Sequence, residues 1–272
     1  MRGRDDGARA DCDRGAGTGS LLGRARASRA VWRRAPRGAV ALDTGALTAM
    51  GAFAAILRKD LRLELRSGQS TVALFALSLL ILVVLVFALS PDPANRAEAS
   101  AGALWVAMVF AGMLGATRAL LAENENGCMR ALATSPIDPA MLYAAKLAAA
   151  FIFMTVAEGA AVILVVLFFN LDFGPELLRL VPPVALGTLG FSALATLLAA
   201  ISGRTRAGDL LLPLLAVPMF VPALIAGVKA SAAALSGAEL SAMTRWLGVL
   251  VAFDVLFVTL GGLLFEHVIG ED

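Results

Sequence analysis

Side chains able to do chemistry are scarce in this sequence and gather in three places. The first is Leu120 to Lys146, LLAENENGCMRALATSPIDPAMLYAAK, where Glu123, Glu125, Cys128, Asp138 and Lys146 stand close together. The second is a pair of isolated acids, Glu158 and Asp254, each set in a long apolar run. The third is Phe53 to Arg66, FAAILRKDLRLELR, with Asp60 and Glu64 among Arg58, Lys59, Arg62 and Arg66. Carboxyl groups can act as general acids and bases or hold a metal, but no enzyme motif surrounds these. The one histidine is His267, so a His-based metal site within the membrane is excluded for this chain alone. Cys12 and Cys128 suggest neither a disulfide framework nor a metal site. No phosphate-binding GxxxxGK loop is present, so any nucleotide energy must come from another subunit.

The elements that carry these residues are set by composition. Of 272 residues, 59% are hydrophobic and 16% charged, against roughly 45–50% apolar and about 25% charged in soluble domains. The excess apolar surface must face something other than water, which predicts an all-α integral membrane protein. Six apolar runs, at 71–89, 101–122, 148–169, 182–201, 210–228 and 246–266, are each long enough to cross roughly 30 Å of hydrocarbon at about 1.5 Å per residue. Together they make a six-helix transmembrane domain over 71–272. Residues 50–70 read as an amphipathic helix lying in the headgroup layer, basic on one side and apolar on the other. Asp60 and Glu64, four apart, fall within its apolar side. They either pair with neighbouring arginines or meet a basic group on another helix or subunit.

The first 49 residues carry ten arginines against five aspartates, while the remainder has 13 Lys and Arg against 16 Asp and Glu. The basic surplus thus belongs to the leader and gives no case for nucleic-acid binding. This segment has no apolar run able to bury a core or act as a secretory signal, so it reads as disordered. The chain from Met50 onward opens like a membrane protein, which makes an early-assigned start the plainer account of residues 1–49.

With the N-terminus inside, the inner segments hold Arg58, Lys59, Arg62, Arg66, Arg130, Lys146, Arg204 and Arg206, and the outer loops hold Arg96, Arg179, Lys229 and Arg245. That bias places both termini in the cytoplasm. The segment 123–147 then becomes a cytoplasmic loop between the second and third spans. Gly127 is a helix stop, and Ser135-Pro136 and Asp138-Pro139 give turn and helix-start signals. Such a loop suits the docking of a separate energy-supplying subunit.

Charges and prolines inside the spans carry further expectations. Arg118, near the inner end of the second span, can snorkel. Glu158 and Asp254 fall near the bilayer midplane, where a charge costs roughly 2.5–3.5 kcal/mol on insertion scales. They are expected to be neutral and hydrogen-bonded to a neighbouring helix, or to face a wet cavity, as helix–helix glue or as part of a substrate path. Pro213, Pro218 and Pro222 lie roughly on one side of the fifth span, which should bend or break, with that face against protein or a cavity. Gly187 and Gly190 in GTLG open a close-packing surface on the fourth span.

The stretches LRKDLRLELRS at 57–67, LWVAMVFAGMLGATRALLAENENGC at 104–128, SPIDPAMLYAAK at 135–146, LGTLGFSALATLLAA at 186–200 and DLLLPLLAVPMFVPALIAGVKA at 209–230 together resemble type-2 ABC transporter permeases. More narrowly, they resemble the CcmB family, the membrane subunit of the haem exporter of cytochrome c maturation. The resemblance covers roughly 53–268. It implies that Glu123, Glu125, Gly127, Cys128, Pro136, Asp138 and Lys146 belong to an ATPase-coupling loop, and that Asp60, Glu64 and Arg66 belong to an interfacial elbow helix. It implies as partners a cytoplasmic CcmA-like ATPase that binds the ATP, CcmC-like and CcmD-like membrane subunits, and, indirectly, a CcmE-like haem chaperone released in its loaded form. The implied compartment is a bacterial inner membrane. Haem enters as the species handled or transported, not as a resident cofactor. A tryptophan-rich haem motif of the CcmC kind is absent, since Trp32, Trp105 and Trp246 stand far apart, which points to a mechanical, non-catalytic role.

Three alternatives remain open at this level. A generic type-2 ABC permease would share the fold and export another substrate. A proton-coupled secondary transporter would run through Glu158 and Asp254 without an ATPase. A structural scaffold would tolerate changes in the 123–147 loop.

Overall fold

Apolar runs with no alternation and no β-branched bias fold as helices, because only a helix satisfies its own backbone polar groups in hydrocarbon. The computed structural model describes residues 51, 53–62, 68–89, 95–125, 138–171, 174–202 and 208–270, and contains no strand among them. The chain divides into two units, Met1–Leu47 and Thr48–Asp272, and every described residue lies in the second. Residues 53–62 are helical. The helices that follow are α1 (Gly68–Leu89), α2 (Arg96–Glu125), α3 (Pro139–Phe168), α4 (Pro175–Arg179), α5 (Val181–Ser202), α6 (Gly208–Leu235) and α7 (Leu240–Gly270).

Five of these are long and apolar enough to cross a membrane: Arg96–Ala116, Pro139–Phe168, Glu176–Ser202, Leu214–Leu235 and Leu240–Phe265. Large apolar side chains such as Phe110, Val156, Ile163, Leu214, Val255 and Leu263 are exposed on their outer faces, as is Phe87 on α1. A surface of that kind has lipid, not water, as its solvent, and the protein is a multi-pass membrane protein. Of the six expected runs, five fall inside one long helix each, and the third, 148–169, passes the end of α3 by one residue. The described apolar part of α1 is Leu79–Leu89.

The ends of the helices are chemically explicit. Asp138 caps α3, its Oδ1 accepting from Ala140 N–H at 2.9 Å, and Pro139 occupies the first turn, where no N–H is required. The third helix therefore starts nine residues before the expected span boundary at 148. It ends with Asn170 at φ 49° and Leu171 N–H donating to Val166 O at 3.0 Å. α6 ends the same way, with Gly237 at φ 67° and Ala238 N–H on Ala233 O at 3.1 Å. Both are left-handed stops that satisfy carbonyls a helix end would leave open.

α5 is the central helix, with 13 of its 22 residues buried, and it packs against α2, α3, α6 and α7. Around it lies an aromatic core. Phe220 meets Phe191 edge-on at 5.1 Å and Phe253 edge-on at 5.7 Å, and Phe253 meets Phe257 at 4.4 Å. Trp105 is fully buried, stacks on Phe220 at 6.4 Å and donates its indole N–H to Ser231 Oγ at 3.0 Å. Its six-membered ring edge lies where a Cβ at Gly187 or Gly227 would sit, so glycine at both positions makes the slot for the indole.

Two contact groups mark the ends of the bundle. At one end Lys229 of α6 pairs with Glu98 of α2 at 3.2 Å, and Arg96 reaches Asn170 O at 3.5 Å. At the other, Ile56, Leu142, Tyr143, Ala145, Ala200 and Phe265 bury one another. The starts of α2 and the ends of α3 and α6 therefore share one end. The start of α3 and the ends of α5 and α7 share the other.

One sequence expectation fails inside this chain. α6 runs unbroken through Pro213, Pro218 and Pro222, and Pro218 and Pro222 are exposed, not turned toward protein or a cavity of this chain. A competing stripe on the same helix decides the matter. Ala216, Phe220, Ala223, Ala226, Gly227 and Ala230 are all buried and recur at helical spacing on the opposite side. Small residues let α6 approach α2 and α5 closely, and that packing turns Pro218 and Pro222 outward.

Candidate functional site

The segment flagged by its chemistry, 123–147, begins and ends inside helices. Glu123 and Glu125 lie in the last turn of α2, and Arg118 lies earlier on the same helix. Their side chains, and Gly127, Cys128 and Pro136, lie outside the described residues, as do Glu64 and Arg66. Asp138 is exposed and caps α3, and Lys146 sits half-buried two turns inside that helix. The helical part of α3 therefore begins within the segment, at Pro139.

Directly behind Asp138 is the buried group at that end of the bundle. Tyr143, the only tyrosine in the chain, is 3% exposed. Its hydroxyl lies 3.3 Å from Phe257 O on α7 and 3.5 Å from Ala193 O on α5. Its phenol end fills the space where a Cβ at Gly261 would stand, and its ring tilts against Phe265 at 5.5 Å. Ile56 of the 53–62 helix is buried in the same group, with Phe53 packed against it. The apolar side of that helix thus packs on the bundle. Asp60, one turn after Ile56 on the same side, pairs with Lys59 at 2.9 Å, so the acid finds a basic neighbour within its own helix. Sequence reasoning passed over Tyr143. The available signal was a lone phenol inside an apolar helix, where a hydroxyl must find an acceptor.

The two midplane acids are buried as expected, Glu158 at 3% and Asp254 at 4% exposure. Glu158 Oε2 meets Thr188 Oγ1 on α5, and the same hydroxyl lies 2.7 Å from Val184 O. A threonine hydroxyl has one proton to give. That proton can go to Glu158 Oε2 or, as the back-bond usual for a helical threonine, to Val184 O. Asp254 sits against Gly190, where an added Cβ would meet its Oδ1, and neither of its oxygens has a hydrogen-bond partner among the described residues. Ser192 Oγ and Glu158 Oε1 are likewise without one among the described residues. Thr188 and Gly190 are two residues apart, about 200° around a helix. The two acids therefore touch opposite sides of α5, and the structure does not bring them together as a single site.

This arrangement of long membrane helices, a capped start of α3 and buried polar residues has relatives. A family model described as CcmB protein matches residues 51–270. The chain is 33% identical to "Heme exporter protein B" of Rhodobacter capsulatus over 175 residues, 64% of this chain and 80% of the relative. It is 30% identical to the protein of the same name from Paracoccus denitrificans over 185 residues, 68% of this chain and 84% of the relative. With the Pseudomonas aeruginosa protein of that name it shares 29% identity over 204 residues, 74% of this chain and 89% of the relative. Because the family match runs from the 53–62 helix through the last turn of α7, the chain belongs to the CcmB family.

Proposed function

We propose that this chain is the membrane permease subunit of a haem-export complex serving cytochrome c maturation. It is non-catalytic, and it couples a separate CcmA-like ATPase to CcmC-like and CcmD-like membrane subunits, with a CcmE-like haem chaperone as the indirect beneficiary. The observation that carries the reading is the family match across 51–270, joined by relatives named for haem export. In this reading α1 is the first of six spans, residues 50–70 lie at the inner headgroup layer, and both termini are cytoplasmic in a bacterial inner membrane. The 123–147 segment is the ATPase contact: carboxylates and amides end α2, and Asp138 restarts the chain as α3, so force on the segment acts on two helices at once.

The test is retention of the ATPase by the native complex, repeated with Gly127 and Pro136 substituted. Loss of both the ATPase and holocytochrome c in those variants, at unchanged membrane levels, is expected. Intact association with full cytochrome c output overturns the coupling role.

A further inference from the structure

Tyr143 lies one and a half turns past the Asp138 cap and is in contact with three other segments: α5 and α7 through its hydroxyl, and the 53–62 helix through the buried group it shares with Ile56. The hydroxyl has a single proton and faces two main-chain acceptors on different helices, Phe257 O at 3.3 Å and Ala193 O at 3.5 Å. Both distances are at the long limit for an O–H donor. A proton that cannot fully serve both acceptors makes a contact with two close alternatives, and a shift of a few tenths of an ångström at the start of α3 selects between them. Gly261 keeps that choice open, because a methyl there would occupy the position of the phenol oxygen. Phe265, Leu142, Ala145 and Ala200 close the group against the rest of the bundle, so movement of the ring is passed on instead of absorbed.

We infer that Tyr143 is the positioning residue that passes movement at the start of α3 to α5 and α7, its hydroxyl exchanging between Phe257 O and Ala193 O. The inference rests on the ATPase-coupling reading above. A residue that only packs would be served equally well by phenylalanine.

The experiment uses the complete membrane complex with Tyr143→Phe and, separately, Gly261→Ala. ATPase retention, ATP hydrolysis rate and holocytochrome c formed per ATP are measured at matched membrane levels. Tyr143→Phe is expected to retain the ATPase and its hydrolysis while lowering output per ATP about fivefold, the small end of ordinary coupling effects. Gly261→Ala is expected to do the same by displacing the phenol oxygen, and it decides the matter on the same ratio if Tyr143→Phe fails to accumulate. Wild-type output per ATP, or a fall in hydrolysis and output in equal proportion, overturns the role of Tyr143. Neither result touches the coupling reading, which stands or falls on ATPase retention by the Gly127 and Pro136 variants.

Discussion

Gly227→Ala should destabilise this protein, although the same change elsewhere in a helix stabilises it. Replacing a mid-helix glycine with alanine ordinarily gains about 1 kcal/mol through helix propensity. At 227 the new methyl would fall on Cζ2, Cη2 and Cε2 of Trp105. The indole cannot swing away, because the same ring edge already lies tight against Gly187 of α5 and Phe220 stacks on its face. Overpacking a filled core costs about 1–3 kcal/mol. Moving the indole also weakens its 3.0 Å bond to Ser231 Oγ, and a buried hydrogen bond contributes about 1 kcal/mol. Set against the propensity gain, the net result is about 1–3 kcal/mol of destabilisation. Gly159 and Gly248, with no atom within 4 Å of an added Cβ, are the controls, and alanine there should be neutral or stabilising. The assay is reversible unfolding of the purified protein in mixed detergent micelles, run for all three variants. Trp105→Phe adds the double-mutant term and should recover a large part of the Gly227→Ala loss. A Gly227→Ala protein as stable as the two controls would refute the slot.

The remaining predictions concern the polar groups. Glu158→Gln keeps an oxygen that can accept from Thr188, so membrane level and holocytochrome c output should stay near wild type, and a substantial drop in complementation would argue for a working carboxyl. Asp254→Asn should be tolerated in the same assay, since neither oxygen has a partner to lose among the described residues. Asp138→Ala removes the cap bond to Ala140 N–H and should cost about 1 kcal/mol of local stability, read as faster amide exchange at residues 140–142 with the rest of α3 unchanged.

Much of this architecture is legible in the sequence because the bilayer leaves few choices. Apolar runs of about 20 residues must be helices, and the six runs match the six long helices, one of them passing its helix end by a single residue. Asp138-Pro139 announced the start of α3 through capping chemistry, yet the span boundary was placed at 148, because hydropathy measures lipid contact and not helix length. The five-residue α4 was missed, being too short to show a period. What sequence could not supply is the pairing of distant positions. Gly187, Gly227 and Trp105 form one slot from three helices, and Tyr143 fits Gly261 across the bundle. The prolines of α6 show two valid principles in conflict. Freed carbonyls favour a protein-facing side, but the Ala216, Ala223, Gly227 and Ala230 stripe favours close packing on the other, and the stripe prevailed.

The same conflict of local rules and packing bears on the two midplane acids. Depth alone treats Glu158 and Asp254 as equivalent, each too costly to leave charged in hydrocarbon. The fold solves them differently: Thr188 gives Glu158 a hydrogen-bond partner, while Gly190 gives Asp254 only room. Since these contacts lie on opposite sides of α5, a proton passing from one acid to the other would have to go through or around the most buried helix of the bundle. A relay joining them needs α5 to move or water to enter beside it. A pathway driven by these two acids alone therefore lacks the continuity that proton coupling requires, whereas the segment at 123–147 is joined by capped helix directly to α5 and α7 through Tyr143. Physical connection favours force entering from that end.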